Sequence, residues 1–320
     1  MNFPKVKLTE LANYISGDNN IFICSASYEE RCKSIADKIS ADTIKYALIC
    51  YNEDMQSVVW ENAEYLRGRF PNKENLVNFS TKDPLKIADN FLTNLNKVRK
   101  DFPFLKKYLI DITTFTHEAL LIIMKLLIDV TKESDDQLEF LYTPAKEYSL
   151  NQKNDEKWLS KGIRDIRSVL GYSGELTPSK KNHLIILVGF EVERVLQLIE
   201  SYEPAVVSLG ISSADQSINA DHFKINEKRY VNILNAYQNA KRFDFSAIDP
   251  DKTKEQLRKQ IDLFPGHNVI IATLNTKIST IGAGLLAIED PTIQLCYATA
   301  NQYNIEGYSL PDDECYILKF

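Results

Sequence analysis

Apolar positions along this chain fall into two kinds of run. Short unbroken stretches such as Ile21-Phe22-Ile23-Cys24 and Tyr108-Leu109-Ile110 suit strands buried on both faces of a parallel sheet. Longer stretches between them carry apolar residues at helical spacing. The clearest passage, 107–148, reads as a strand at 108–112, a polar loop at 113–118, a helix at 119–130 and a strand at 138–142. A second passage repeats it, with a strand at 268–272, a loop at 273–277, a helix over 279–288 and a strand at 293–297. Further strands are predicted at 20–24, 44–51 and 184–188, and helices at 55–69 and 85–98, the second capped by Asp83 with Pro84 at its first position. Ser27, with Glu30 three residues on, has the pattern of a capping box for a helix reaching Ile39.

Landmarks recur in the same order in the two halves. Glu30-Arg31 matches Glu193-Arg194, each following an apolar strand. Phe79-Ser80-x-x-Asp83-Pro84 matches Phe245-Ser246-x-x-Asp249-Pro250, and Tyr142 with Tyr148 matches Tyr297 with Tyr303 at the same spacing. The fold expected is α/β: two tandem doubly wound domains, 1–150 and 182–320, related by internal duplication. Between them, 151–181 is predicted as a helical linker, because Leu159, Ile163, Ile166 and Leu170 follow helical spacing before a turn-rich passage, 171–178. The second half carries an insertion, 215–243, with a helix expected around 230–241.

Composition narrows the function classes. With 320 residues, 44% of them hydrophobic, the chain can bury two cores, and a net charge of -6 argues against an extended nucleic-acid surface. The five cysteines (Cys24, Cys32, Cys50, Cys296, Cys315) have no paired spacing and read as core residues of a reduced, cytoplasmic protein. No apolar run approaches a membrane helix, and the polar start does not resemble a signal peptide. The four histidines are too scattered to suggest a metal site. Neither glycine-rich phosphate fingerprint occurs, which counts against NAD-type and P-loop binding and leaves the identity of any cofactor open. Gly282 and Gly284, inside the helix after Lys277, suggest close packing of that helix on a sheet.

A doubly wound sheet keeps its ligand beyond the carboxyl ends of its strands. That rule gathers Ser25, Ser27, Arg31, Thr113 and Thr114 in the first half, and Gly189, Arg194, Asn275, Thr276 and Lys277 in the second. Hydroxyls suit helix caps as well as ligands. A lysine at a helix start opposes the macrodipole, which points to an anion there. The Glu-Arg pairs read either as structural salt bridges or as arginines aimed at phosphate. Asp111 and Glu118 flank the first loop with negative charge, and with Glu30 they are the candidate general acids or bases.

A strand, a serine- or glycine-bearing turn with an arginine-containing helix, and a later strand followed by a Thr-Lys loop resemble the CRISPR-associated Rossmann-fold (CARF) sensor domains. In that family the loop often reads Gly-Thr-Lys; here Asn275-Thr276-Lys277 lacks the glycine, and Phe115-Thr116-His117 lacks both glycine and lysine. The resemblance implies two Rossmann-like halves, a nucleotide ligand in the cleft between them, and a role in bacterial antiviral defence. Three function classes stay open: a nucleotide-sensing or nucleotide-processing protein, a hydrolase or transferase acting on a nucleoside or sugar phosphate, and a non-catalytic subunit that binds a partner protein through Tyr202, Tyr230, Tyr237, Tyr303 and Tyr308.

Overall fold

A computed structural model of the chain describes residues 3–15, 17, 19–70, 75–150, 152–153 and 157–320. The chain divides into two compact units, Met1–Leu150 with Gly307–Phe320, and Asn151–Glu306. In chain order the first unit runs β1 (Lys5–Lys7), β2 (Asn20–Ala26), β3 (Ile44–Asn52), α1 (Gln56–Arg69), β4 (Leu76–Phe79), α2 (Pro84–Asp101), β5 (Lys107–Asp111), α3 (His117–Thr131), β6 (Gln137–Tyr142) and β7 (Ala145–Tyr148). The second runs β8 (Ser160–Ser173), β9 (Asn182–Leu187), α4 (Val192–Tyr202), β10 (Val206–Ser212), α5 (Ala220–Ala236), β11 (Lys241–Phe245), α6 (Pro250–Asp262), β12 (Asn268–Thr273), α7 (Lys277–Glu289) and β13 (Gln294–Tyr303). The chain then returns to the first unit with β14 (Ser309–Pro311) and β15 (Glu314–Lys319).

Each unit is a largely parallel sheet flanked by helices, a Rossmann-like α/β fold. Among the described residues the first sheet has the order β1-β15-β6-β5-β2-β3-β4 and the second β11-β10-β9-β12-β13-β8. Read from the β4 and β11 edges, both follow one plan: three strands built outward from β2 or β9, two more on the other side of it, then an antiparallel strand, β15 or β8. Tyr142 and Tyr297 accordingly lie on corresponding strands, β6 and β13.

Local chemistry explains the elements that sequence located. In α2 the buried residues Ile87, Phe91, Leu95 and Val98 recur at three and four positions. Fully burying each contributes ~1.5–3 kcal/mol relative to exposure. Asp83 caps α2 by accepting from the Leu85 N–H, Asp249 caps α6 by accepting from the Lys252 N–H, and a proline opens both helices.

Several expectations are overturned. The helix predicted in the linker from Leu159, Ile163, Ile166 and Leu170 is the strand β8 from Ser160 onward. Its register against β13 is broken twice, between Thr299/Ala300 and between Gln294/Cys296. Such irregularities insert residues into the two-residue period of a strand and so imitate helical spacing. The segment 151–181 is therefore no helical linker. Residues 307–320, expected in the second domain, complete the first sheet. Ser27 and Glu30 form no capping box: a short 3-10 turn at Glu30–Lys33 has no side-chain cap, and successive turns, not a helix, lead to Ile39. The helix of the insertion spans Ala220–Ala236. Gly282 packs α7 against α6, not against a sheet, since a Cβ there would lie 2.5 Å from the Pro250 carbonyl oxygen.

Candidate functional site

In each unit the strand order reverses beside the first parallel strand, between β2 and β5 and between β9 and β12. This switch point is where neighbouring crossovers leave on opposite faces and open a crevice at the carboxyl edge. A side chain fastens the edge in both units. The Thr114 hydroxyl donates to the Ser25 carbonyl at 2.6 Å, and the Asn275 amide donates to the Val188 carbonyl at 2.6 Å. Each bond ties the loop after the fourth parallel strand to the end of the first. Thr116 and Thr276 then cap α3 and α7 through the N–H groups of Ala119 and Ser279.

The structure brings the predicted residues of each unit to one edge and gives many of them structural work. Thr113 accepts from the Thr143 N–H and donates its own N–H to Asp111. The Ser27 hydroxyl accepts from the Glu29 N–H, and its carbonyl accepts from the Asn62 amide. Thr276 also donates to the Ala247 carbonyl at 2.7 Å. Gly189 sits so close to the β12 loop that a Cβ would lie 1.8 Å from the Leu274 carbonyl oxygen, so no larger residue fits. Lys277 is half-buried in the first turn of α7.

The arginines are buried, Arg31 to 3% and Arg194 to 8% exposure. Their partners differ from the adjacent glutamates that the repeated sequence pairs suggest. Arg31 donates through Nε and Nη2 to Glu29, at 2.9 and 2.7 Å, and through Nη1 to the Thr143 carbonyl. Glu30 turns instead to Lys33, at 2.9 Å. Arg194 pairs with Glu191 at 2.5 Å and donates to the Ala298 carbonyl, whereas Glu193 accepts from the Gly162 N–H. Both acceptor carbonyls follow the repeated tyrosines, Tyr142 and Tyr297. Each carboxylate takes a further bond from a serine, Ser309 to Glu29 and Ser160 to Glu191. The adjacent carboxylate holds each guanidinium firmly charged against the cost of burial.

Asp111 ends β5 and is 2% exposed; burial raises its pKa to about 7, against the Thr113 hydrogen bond and the Arg31 charge, both of which lower it. Glu118 is also fully buried, so both acidic residues that flank the loop lie inside the unit. Tyr230 is buried and offers no partner surface. All five cysteines are buried free thiols. Among the described residues, no helix is long and apolar enough to cross a membrane. A groove of about 360 Å³ lies between the ends of α4 and α5, lined by Leu196, Ile199, Pro204 and Tyr237. It belongs to the opposite, amino edge of the second sheet.

Sequence reasoning missed Arg229, which lies over the Phe190 ring beside Glu191. Its position within the insertion helix gave no landmark to follow.

No family model matches the chain, and no curated protein matches it. Among solved structures it is similar to UDP-GlcNAc 2-epimerase from Neisseria meningitidis bound to UDP-GlcNAc, at 10% identity over 79% of this chain and 77% of that one, with a TM-score of 0.25. Such a score is too low to transfer a ligand or a residue role.

Proposed function

We propose that the chain binds a phosphorylated ligand of the nucleotide class at the carboxyl edges of its sheets and acts as a sensor. The observation that carries this reading is the fastening repeated at both switch points, from Thr114 to Ser25 and from Asn275 to Val188. A loop held before the ligand arrives spares the ordering cost of binding. In the second unit the held loop leads directly into the N-terminus of α7, whose backbone dipole favours an anion, with Lys277 as the added cation. The CARF resemblance puts cyclic oligonucleotides among the first ligands to try.

The test is thermal unfolding and calorimetry of the whole chain with mono-, di- and cyclic nucleotides, with unphosphorylated nucleosides as controls. A phosphorylated compound should raise the melting temperature, and Lys277→Ala should lose roughly 1.5–3 kcal/mol, about tenfold to over a hundredfold in affinity. Stabilisation by nucleosides alone, or by nothing in the set, refutes the reading.

One observation favours a second reading, a hydrolase or transferase acting on the same compounds. A carboxyl held near neutrality at a strand's end, as Asp111 is, is poised for proton transfer. Product analysis after incubation decides it: conversion by the native protein that is lost in Asp111→Asn supports catalysis, and unchanged compounds exclude it.

A further inference from the structure

Among the described residues of the second unit, one guanidinium, that of Arg229, has no carboxylate paired with it. Arg229 stands on α5 three residues beyond Asn226 and seven beyond His222, so the three share one helical face. That face meets the turn between β9 and α4. The Arg229 guanidinium lies 5.0 Å from the centroid of the Phe190 ring, and His222 meets the same ring edge-on at 5.6 Å.

The hydrogen bond that Arg229 makes goes to a neutral acceptor, the Lys157 carbonyl. Among the described residues it enters no ion pair. The carboxylate that acts on it, Glu191, is already bonded to Arg194 and to the Ser160 hydroxyl. Burial therefore prevails and lowers the Arg229 pKa. Two guanidinia thus lie within the reach of one carboxylate, Arg194 buried and bonded to it and Arg229 half-buried and acted on only through its charge. Among the described residues two further polar atoms have no hydrogen-bond partner, Arg194 Nε in the first turn of α4 and Asn226 Oδ1 one turn before Arg229 on α5, in residues 8% and 6% exposed. Arg31 of the first unit shows no such surplus, because it spends Nε and both terminal nitrogens on Glu29 and the Thr143 carbonyl.

We infer that the face of α5 bearing Asn226 and Arg229, together with Phe190 and Arg194, binds a phosphoryl group, with Arg229 as its counter-charge. A guanidinium fork matches phosphate oxygens, and an aromatic face holds the fork in plane. Arg194 Nε supplies a second donor. Asn226 Oδ1 accepts, so it suits a hydroxyl carried next to the phosphate, as nucleotides and sugar phosphates have. The inference rests on the phosphorylated-ligand reading above and adds a second charged contact in the second unit, on α5, to the one at the start of α7.

The test uses the whole chain and inorganic pyrophosphate, with malonate as a dicarboxylate control at matched ionic strength. Arg229→Met should weaken pyrophosphate binding by roughly tenfold or more, as loss of a charge-assisted contact does. It should also raise the melting temperature of the ligand-free protein, since a charge without an ion pair leaves a half-buried position. Wild-type affinity in Arg229→Met, or equal binding of malonate, overturns the inference. Should that variant fail to match the native circular dichroism, Arg229→Lys is read instead; a clear loss of affinity is expected there, and wild-type affinity overturns the proposal. If Lys277→Ala abolishes binding and Arg229→Met does not, this site falls while the phosphorylated-ligand reading stands. If the native protein binds neither pyrophosphate nor any nucleotide, both fall.

Discussion

The two units bury the same device and balance it differently. In each, a serine donates to a glutamate, the glutamate pairs with an arginine, and the arginine donates to the carbonyl following a tyrosine: Ser309, Glu29, Arg31 and Thr143 in the first, Ser160, Glu191, Arg194 and Ala298 in the second. The first set closes on itself, one charge against one. The second carries Arg229 in addition, which feels the charge of Glu191 and, among the described residues, has no ion pair of its own. A repeated frame can thus be structural in one copy and leave spare charge for a ligand in the other, and only the count of partners distinguishes the two.

The largest effect expected comes from cutting the device. Arg31→Met leaves Glu29 buried without its cation and should destabilise the first unit by ~3–5 kcal/mol. Arg194→Met should cost the second unit less, because Arg229 remains to offset Glu191. The two tryptophans make this measurable, since Trp60 lies in the first unit and Trp158 in the second. Urea unfolding followed by fluorescence in Trp60→Phe and Trp158→Phe backgrounds reads each unit separately. Equal losses in the two units would break the asymmetry.

The units should also respond to pH with opposite sign. His183, fully buried on β9 and bonded through Nε2 to Ser208 at 2.7 Å, has its pKa lowered to about 4 by burial and by His267. The folded value lies below the ordinary 6.5, so the unfolded chain takes up the proton first as pH falls. Its contribution, ~3 kcal/mol, is present above about pH 6.5 and is lost on descent to about pH 4. Asp111 does the reverse, because its folded value of about 7 lies above the ordinary 3.8. Its contribution is present below about pH 4 and is lost as pH rises through about 7. Asp111→Asn keeps an acceptor for the Thr113 N–H and should stabilise the first unit at pH 8 by on the order of 3 kcal/mol. Parallel slopes from the two tryptophan signals would contradict this assignment.

Much of this frame was legible in sequence, and the failures share a cause. Parallel strands buried on both faces, such as β2 and β12, announce themselves as unbroken apolar runs, and the Asp-Pro caps of α2 and α6 are local chemistry. The antiparallel strands β8 and β15 were not legible, because each pairs with a strand distant in the chain: β8 follows the first unit in sequence but completes the second sheet, and β15 does the converse. At the carboxyl edges, the Glu-Arg landmarks led to two arginines that the structure buries in the same way, but their partners are Glu29 and Glu191, not the adjacent Glu30 and Glu193. Which of two neighbouring glutamates turns inward depends on turn geometry that spacing does not encode. Arg229 carried no landmark, because the surplus it creates exists only once Glu191 and Arg194 are seen to be paired.

The fastenings at the switch points give a smaller effect. Thr114→Val preserves shape and removes one hydrogen bond to Ser25, while Asn275→Ala removes the bond to Val188 and the acceptor for the Thr276 N–H. Expected losses are ~1 kcal/mol and ~1–2 kcal/mol, each seen only by the tryptophan of its own unit. Hydrogen exchange should quicken in 113–116 or in 274–276 respectively. Unchanged exchange in both would mean that packing, not these bonds, holds the loops.

The helix caps should give the smallest effect, and they examine the shared frame itself. Asp83 and Asp249 occupy the same place before α2 and α6, each followed by proline, yet they accept from different N–H groups, Leu85 in one and Lys252 in the other. The cap satisfies one donor at a helix start in both cases, so Asp83→Ala and Asp249→Ala should each cost ~1 kcal/mol. Asp83→Asn and Asp249→Asn should restore most of it, because the amide oxygen also accepts. If one alanine variant is silent while the other is costly, that helix start is held by its proline and its packing, and the correspondence between the two landmarks is one of sequence without being one of energy.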